Sequence, residues 1–469
     1  MESNFKMDHR FSINKLVGRN RDERDGSQKR ESRKARIFDE ESPVCTIGNR
    51  TNCYDPDSIK KAFHPLGIYS KCFGLFPCYD FSFVENLSDG NVRMIHILDY
   101  CYSVLIFLVL TGGGLLCHVY KPNHLRREET KLGGENIDYY AKLALIYCTI
   151  FAGVQSLFIF PMKWNQVVNF VRLFSNVDKI LRFDGRDEER WFAKKVILYL
   201  TGCLVFTLAS NLILFILDGS GVSTCFSDFL MPPLMTLALM ALIIPTGLAV
   251  FFLNAVRLRM MHFNRKMTTL LTPLTPSCFI CISFQDYGKE LDEMKLDRKP
   301  EQFAEDLEKM RILHCEIATL GKSISCIFGT HLVRDFLYSL VGLVMYTYFL
   351  IYIQDEGDFT WIMYAGQNAF ILLKLLVLAC FAQLICCEGS ILRASLQRVS
   401  LRRLDESSCL QIQVFLGAVG NLPVISAAGF FNLDRALMTS ILGAITTYFI
   451  ILLQFKVGGG LQKITEGSA

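Results

Sequence analysis

Lys374 stands inside an apolar run that extends from 361 to 387, and a charge so placed demands a partner. A lysine at the centre of a membrane helix costs about 2.5–3.5 kcal/mol on insertion scales. Its ammonium must face a carboxylate, a cluster of carbonyls or a wet cavity, and a structural partner and a ligand or gating role are both open. A second group of polar side chains lies in neighbouring apolar runs: Asn211 beside Ser210, Thr236, and Gln367 with Asn368. Together with Tyr346, Tyr348 and Tyr364 they offer aromatic faces and amides, the groups with which a small organic ligand or a sugar ring stacks and hydrogen-bonds. Trp361 and Tyr352, at the ends of their runs, are assigned to an interfacial aromatic belt instead. The third group is in the last apolar run. There Ile451, Gln454 and Phe455 share one helical face, as do Tyr448, Ile451, Leu452 and Phe455, because their spacings are three or four.

Other chemistry is poorly provided for. Cys278 and Cys281 have the spacing of half a zinc site, but no second Cys pair or His pair stands nearby, so no metal is expected. Neither a nucleotide-binding loop, a zinc-binding helix nor a serine elbow occurs, so neither an enzyme nor a cofactor is expected. The 17 cysteines are an odd number, and Cys203, Cys380 and Cys386 lie in apolar runs, where a free thiol behaves as a small hydrophobe.

The elements that would hold these groups follow from composition. Of 469 residues 51% are hydrophobic and 20% charged, with 37 Phe and a mean hydropathy of +0.30. A soluble domain carries about 25% charged residues. The net charge of +4 and the lack of a basic stripe with interleaved aromatics exclude nucleic acid as a partner. Seven stretches, near 97–119, 139–161, 195–217, 230–253, 333–353, 361–387 and 435–455, are long enough to cross about 30 Å of hydrocarbon. An all-α bundle of seven transmembrane helices is the expected fold.

Lysine and arginine set the orientation, since cytoplasmic loops carry their excess. The second, fourth and sixth loops hold 24 of these residues, counting Arg435, against 6 in the first, third and fifth loops and the C-terminal tail. That puts the N-terminus inside and the C-terminus outside, opposite to a seven-helix receptor that signals through G proteins. The first 36 residues have eleven basic and six acidic positions and no apolar core of a signal peptide. Residues 1–90 therefore read as a cytoplasmic arm, the first ~40 disordered, and the sequons at Asn49 and Asn86 stay unglycosylated. Spans one to four occupy 91–256. Residues 257–332 form a cytoplasmic helical anchor, 333–387 hold spans five and six, and 388–433 hold further anchor helices. The last span fills 434–456, and 457–469 is an extracellular tail.

The inner loops are themselves helical. Span four continues through Met260, Met261 and Met267 until Pro273 and Pro276, and after Pro300 the residues Phe303, Leu307, Met310, Ile312, Leu313, Ile317, Leu320 and Ile324 recur at helical spacing into span five. Span six overruns into Ile391, Leu392, Leu396 and Val399. Apolar stripes at a cytosolic address need partners, either within the chain or as a bundle that joins subunits.

Within the last span stands Thr447-Tyr448, then Phe449 to Leu453, then Gln454-Phe455, and Gly429-Phe430-Phe431 precedes it. This pattern of Thr-Tyr, five hydrophobic residues and Gln-Phe, near the end of the chain and after a Gly-Phe-Phe, closely resembles the signature of the insect gustatory receptors. The resemblance implies a non-selective cation channel opened directly by a tastant and related to the insect odorant receptors. It further implies a homotetramer, or a heteromer with related receptors, in the plasma membrane of gustatory neuron dendrites, in contact with membrane lipid. Helix seven would line the pore, cytoplasmic ends of helices four to seven would anchor the subunits, and the ligand would sit in the outer half of each bundle. A ring of Ile451 or Phe455 could then close the pore by dewetting while Gln454 presents amides to a partly hydrated cation; the alternative is that Gln454 and Phe455 serve interhelical packing. The family's sugar-sensing members typically have Glu after the signature Tyr, where this chain has Phe449. A G-protein-coupled chemoreceptor is the competing reading. Behind it comes a secondary transporter, for which no inverted repeat is visible.

Overall fold

The computed structural model describes residues 58–75, 101–113, 115, 137–183, 185–217, 226–272, 300–352, 358–420 and 425–466. The two sequons, the Cys278–Cys281 pair and the first ~40 residues of the expected arm lie outside these residues. Among the described residues ten helices follow one another: α1 (Ser58–Cys72), α2 (Cys101–Gly113), α3 (Ile137–Met162), α4 (Trp164–Leu181), α5 (Arg186–Leu217), α6 (Phe226–Leu271), α7 (Pro300–Tyr352), α8 (Asp358–Gln397), α9 (Glu406–Gly420) and α10 (Arg435–Glu466). Six of them, α3, α5, α6, α7, α8 and α10, are long and apolar enough to cross a membrane, and the shorter apolar α2 lies within the expected first span.

Length separates two kinds of helix. At 1.5 Å per residue, the 46 residues of α6 and the 53 of α7 extend about 70 and 80 Å, more than twice the hydrocarbon core. Both therefore project well beyond the membrane, as the apolar stripes after Pro300 and through Met267 predict. α6 is the axis of the bundle and packs against α3, α5, α7 and α8. From Leu237 to Leu253 it is apolar on nearly all sides, as a helix surrounded by others must be. Pro232, Pro233 and Pro245 stand inside it; each removes a backbone donor, and enclosure by neighbouring helices is what makes such freed carbonyls tolerable. Thr236 Oγ1 donates to the Pro232 carbonyl at 2.8 Å. Gly153 allows α3 to close on α6, since a Cβ there would lie 2.8 Å from the Ala238 Cα.

Two helices stand where the sequence was read as arm or loop. In α1 the buried Ile59, Ala62, Phe63 and Leu66 recur at helical spacing, and the Phe63 ring lies 5.3 Å from that of Phe252 on α6. Lys60, Lys61, His64 and Pro65 between them mask the stripe in a hydropathy window. In α4 the buried Val167, Phe170, Val171, Phe174, Val177 and Leu181 form another such stripe. Phe170 and Phe174 both reach the Phe252 ring, at 5.1 and 6.2 Å.

Before α10 the chain makes a hairpin, β1 (Ser426–Ala427) paired antiparallel with β2 (Phe431–Asn432). Its turn holds Ala428 at φ 50 and Gly429 at φ 81, the left-handed geometry that tight hairpins require and that Gly429 adopts without strain. The hairpin docks on α7. Ser426 N–H donates to Ser325 Oγ at 3.1 Å, the Phe431 ring lies 4.6 Å from Phe336, and a Cβ on Gly329 would come within 2.6 Å of the Ala428 nitrogen. Asp434 then caps α10, its Oδ1 accepting from Leu437 N–H at 2.9 Å.

Candidate functional site

The outer-half candidates fall into two groups. On α5 and α6, Asn211 Nδ2 donates to Thr236 Oγ1 at 3.0 Å, a clasp between the two helices. On α7 and α8 the aromatic residues converge: Phe349 stacks on Tyr364 at 5.1 Å, Tyr346 lies 6.1 Å from Tyr364, and Tyr348 meets Phe349 edge-on at 5.6 Å. Ala141 and Leu145 of α3 close this cluster. One turn further along α8, Gln367 is buried and the Oδ1 of Asn368 is buried without a hydrogen-bond partner among the described residues. Ser210 Oγ, beside Asn211, is likewise buried and unpartnered among them. An orphaned buried acceptor costs about 1–3 kcal/mol, and a ligand or water hydroxyl would satisfy it. Trp361, half-exposed at the end of α8, has the position expected of an interfacial residue.

Lys374 does not join these groups. It lies two turns inward of Gln367, buried, and its Nζ is 2.5 Å from Asp335 Oδ1 on α7. The same carboxylate accepts from Thr246 Oγ1 of α6 at 2.9 Å. His331 Nε2 is 3.3 Å from Thr246 Oγ1, and its Nδ1 is 2.5 Å from Arg334 Nη2. Three helices thus share one polar knot inside the bundle. Of the alternatives for Lys374, the geometry supplies the carboxylate. Asp335, not singled out from the sequence, has as its signal there an acid at the start of the apolar stretch near 333–353; that it meets Lys374 has no local signal.

A second buried knot joins α4, α5 and α6. Arg259 is fully buried on α6, with Nε and Nη2 each 2.7 Å from the two oxygens of Asp178 on α4 and Nη1 2.5 Å from Glu189 on α5. The rings of Phe174 and Phe183 flank the guanidinium at 4.5 and 4.6 Å. Burial pushes the Asp178 carboxyl above its usual range, and the guanidinium beside it opposes that shift. Nothing in the sequence singles out these three, which lie 70 and 81 positions apart within charged loops.

The pore candidates are placed differently again. α10 is anchored at its inner end, where Met438 and Ile441 pack against Leu343, Ile371, Leu375 and Ala379 of α7 and α8. Beyond that point it leaves the bundle: Tyr448, Ile451 and Gln454 are exposed and Leu452 is half-exposed, as are Phe449, Ile450 and Leu453 around the rest of the helix. Phe455 follows on the same helix.

A bundle of apolar helices of spanning length whose polar groups are knotted inside, with one apolar helix standing outside, is a multi-pass membrane protein. The family model described as 7tm chemosensory receptor matches residues 63–458, and the chain belongs to that family. The gustatory and odorant receptor 22 of Anopheles gambiae is 27% identical over 187 residues, covering 36% of this chain and 37% of that relative's length. Among solved structures, the insect olfactory receptor OR5 from Machilis hrabei has the same fold, with a TM-score of 0.54 at 14% identity over 85% of this chain and all of the other. Its complex with eugenol superposes with a TM-score of 0.53 at the same identity and coverage.

Proposed function

We propose that this chain is a subunit of a tastant-gated, non-selective cation channel in the plasma membrane of chemosensory neurons, with its N-terminus in the cytosol and its C-terminus outside. The observation that carries the reading is α10. Only 11% of its span is buried within the chain, although it bears the Thr447-to-Phe455 signature and a polar Gln454. A helix of this kind finds its remaining partners outside its own chain, in lipid or in other copies. Four copies, or copies of a related receptor, arranged with α10 inward would present a ring of Gln454 amides and, beside it, an apolar ring of Ile451 and Phe455 that closes by dewetting. The hairpin that joins α7 to α10 gives movement of α7 a short route to that ring.

The ligand pocket in this reading is the outer aromatic cluster of Tyr346, Tyr348 and Tyr364, with Gln367 and Asn368 as hydrogen-bonding groups and the Asn211–Thr236 clasp as wall. A small molecule with an aromatic or ring-shaped apolar face and one donor fits that chemistry. That a solved relative binds eugenol supports a small organic ligand. The test is electrical recording from excised patches containing this chain, with a panel of tastants and no GTP. Current that persists without cytosolic factors is expected. Its complete loss, with recovery on adding GTP, would establish the G-protein-coupled alternative.

A further inference from the structure

Between α5 and α8, on the inner half of the bundle, lies a cavity of about 210 Å³ that serves neither the outer aromatic cluster nor α10. Its walls are Phe192, Val196 and Tyr199 of α5 and Val377 and Phe381 of α8, and its floor is α6 from Ile243 to Val250, where Gly247 has no side chain. The two wall helices meet through ring contacts on either side of it, Phe192 with Phe381 at 5.4 Å and Phe206 with Phe370 at 5.7 Å. Between those contacts the slot is partly open, and Leu198 of α5 and Leu373 and Leu376 of α8, on the same two helices, are exposed. A drug-sized ligand needs about 300–1,000 Å³, so the slot is small for one. Its nearly all-apolar walls, on two helices of spanning length, suit a hydrocarbon chain.

The mouth has charge. Lys195 lies at its lip with Nζ 3.3 Å from the centre of the exposed Trp191 ring, and no carboxylate of the described residues pairs with it. Arg190 and Lys194 are exposed on the same two turns of α5, while Asp187 and Glu188 stand one turn further into the cytosol. A Trp and a cluster of cations at one depth are the marks of a helix crossing the headgroup layer of an anionic leaflet.

We propose that the slot holds an acyl chain of an anionic phospholipid from the cytoplasmic leaflet, with its phosphate met by Lys195 and Lys194. It rests on the orientation given under the proposed function, which places the start of α5 at the cytoplasmic surface. At the inner end of the slot the chain reaches Thr246 and Lys374, the two residues that hold Asp335 of α7. Occupancy therefore bears on the polar knot that ties α6, α7 and α8, and the lipid acts as a structural ligand of the receptor distinct from its tastant.

The experiment uses full-length protein in phosphatidylcholine nanodiscs containing a minor fraction of phosphatidylserine with a diazirine midway along one acyl chain. After irradiation and peptide mapping, labels are expected on the stretches containing Val196, Tyr199, Val377 and Phe381. Phosphatidylcholine carrying the same diazirine should label them weakly. Lys195→Gln, at an exposed position, should lower the phosphatidylserine label about fivefold, and Val377→Phe, which fills the slot, should remove it while labels near Leu208 remain. Equal labelling by the two lipids, no effect of either substitution, or displacement of the label by a soluble tastant would overturn the proposal. Labelling does not require current, so its outcome is independent of whether the chain conducts.

Discussion

α6 and α10 are both apolar helices of spanning length, yet 89% of the α6 span is buried within the chain and only 11% of the α10 span is. Hydropathy does not distinguish them, at 2.3 and 2.0. What differs is the anchoring. Along α6, Arg259 is held by two carboxylates, Thr246 by Asp335 and Thr236 by Asn211, and rings from α1, α4 and α7 surround Phe252. Among the described residues α10 is fixed in its first three turns, by Asp434, the hairpin and the contacts of Leu437, Met438, Ile441 and Ile445. The lesson is that one helix organises the subunit while the other is left available to whatever lies outside it. Substitutions along α6 should therefore act on folding, and substitutions along the outer part of α10 on assembly and conduction.

The largest effect is expected at Arg259. Arg259→Met would leave Asp178 and Glu189 buried with no counter-charge, a loss on the order of 3–5 kcal/mol. Detergent-solubilised protein should lose its monodisperse peak in size-exclusion chromatography, and an unchanged profile would mean that the Arg259 knot does not organise the fold. Next comes the knot in the bundle. Lys374→Met should destabilise strongly because Asp335 is left buried without its partner, and adding Asp335→Leu should restore most of the thermal stability. Failure of the second change to rescue the first would break the assignment of Lys374 to that carboxylate. Gly329→Val should cost about 1–3 kcal/mol by pushing the hairpin off α7. Because the hairpin carries α10, ligand-evoked current should fall further than surface expression does.

On α10 itself the contrast predicts small effects on stability and large ones on current. Gln454→Ala should leave the melting temperature of the solubilised subunit within a degree or two, consistent with about ±0.5 kcal/mol for an exposed substitution, while changing the permeability ratio of monovalent cations. Ile451→Ala and Phe455→Ala should raise unliganded current. Were these three changes to lower only expression, α10 would be a packing helix like α6. The smallest expected change is at Asn368: Asn368→Ala removes a half-buried amide whose oxygen lacks a partner among the described residues, so it should shift the tastant dose–response and leave permeability untouched.

Much of this organisation is carried by local pattern. The spans, the continuation of α6 to Leu271 and the single helix from Pro300 into span five follow from runs and periodicities that a short window reads, because a helix of that length buries a stripe whatever it packs on. The terminal signature, read from Thr447 to Phe455, identifies the family without any knowledge of packing. The amphipathic stripes of α1 and α4 were also present in the sequence, but interleaved Lys, His and Pro lowered their hydropathy below notice.

Other features were decided only by how the helices are rotated and set against one another. Arg259 finds its carboxylates 81 and 70 positions away, and Lys374 finds Asp335 on the preceding helix 39 positions away. Lys374 by itself announced a need for a partner, since a bare ion in hydrocarbon is too costly to persist, whereas Arg259 gave no such signal; in both cases the choice of partner depends on the depth and angular register of two helices. The same holds for the slot beneath Lys195, which exists because α5 and α8 touch at two pairs of rings and part between them. Composition can say that a helix will be apolar; whether its apolar surface is then covered, as on α6, or left bare, as on α10, is settled only when the other helices have taken their places.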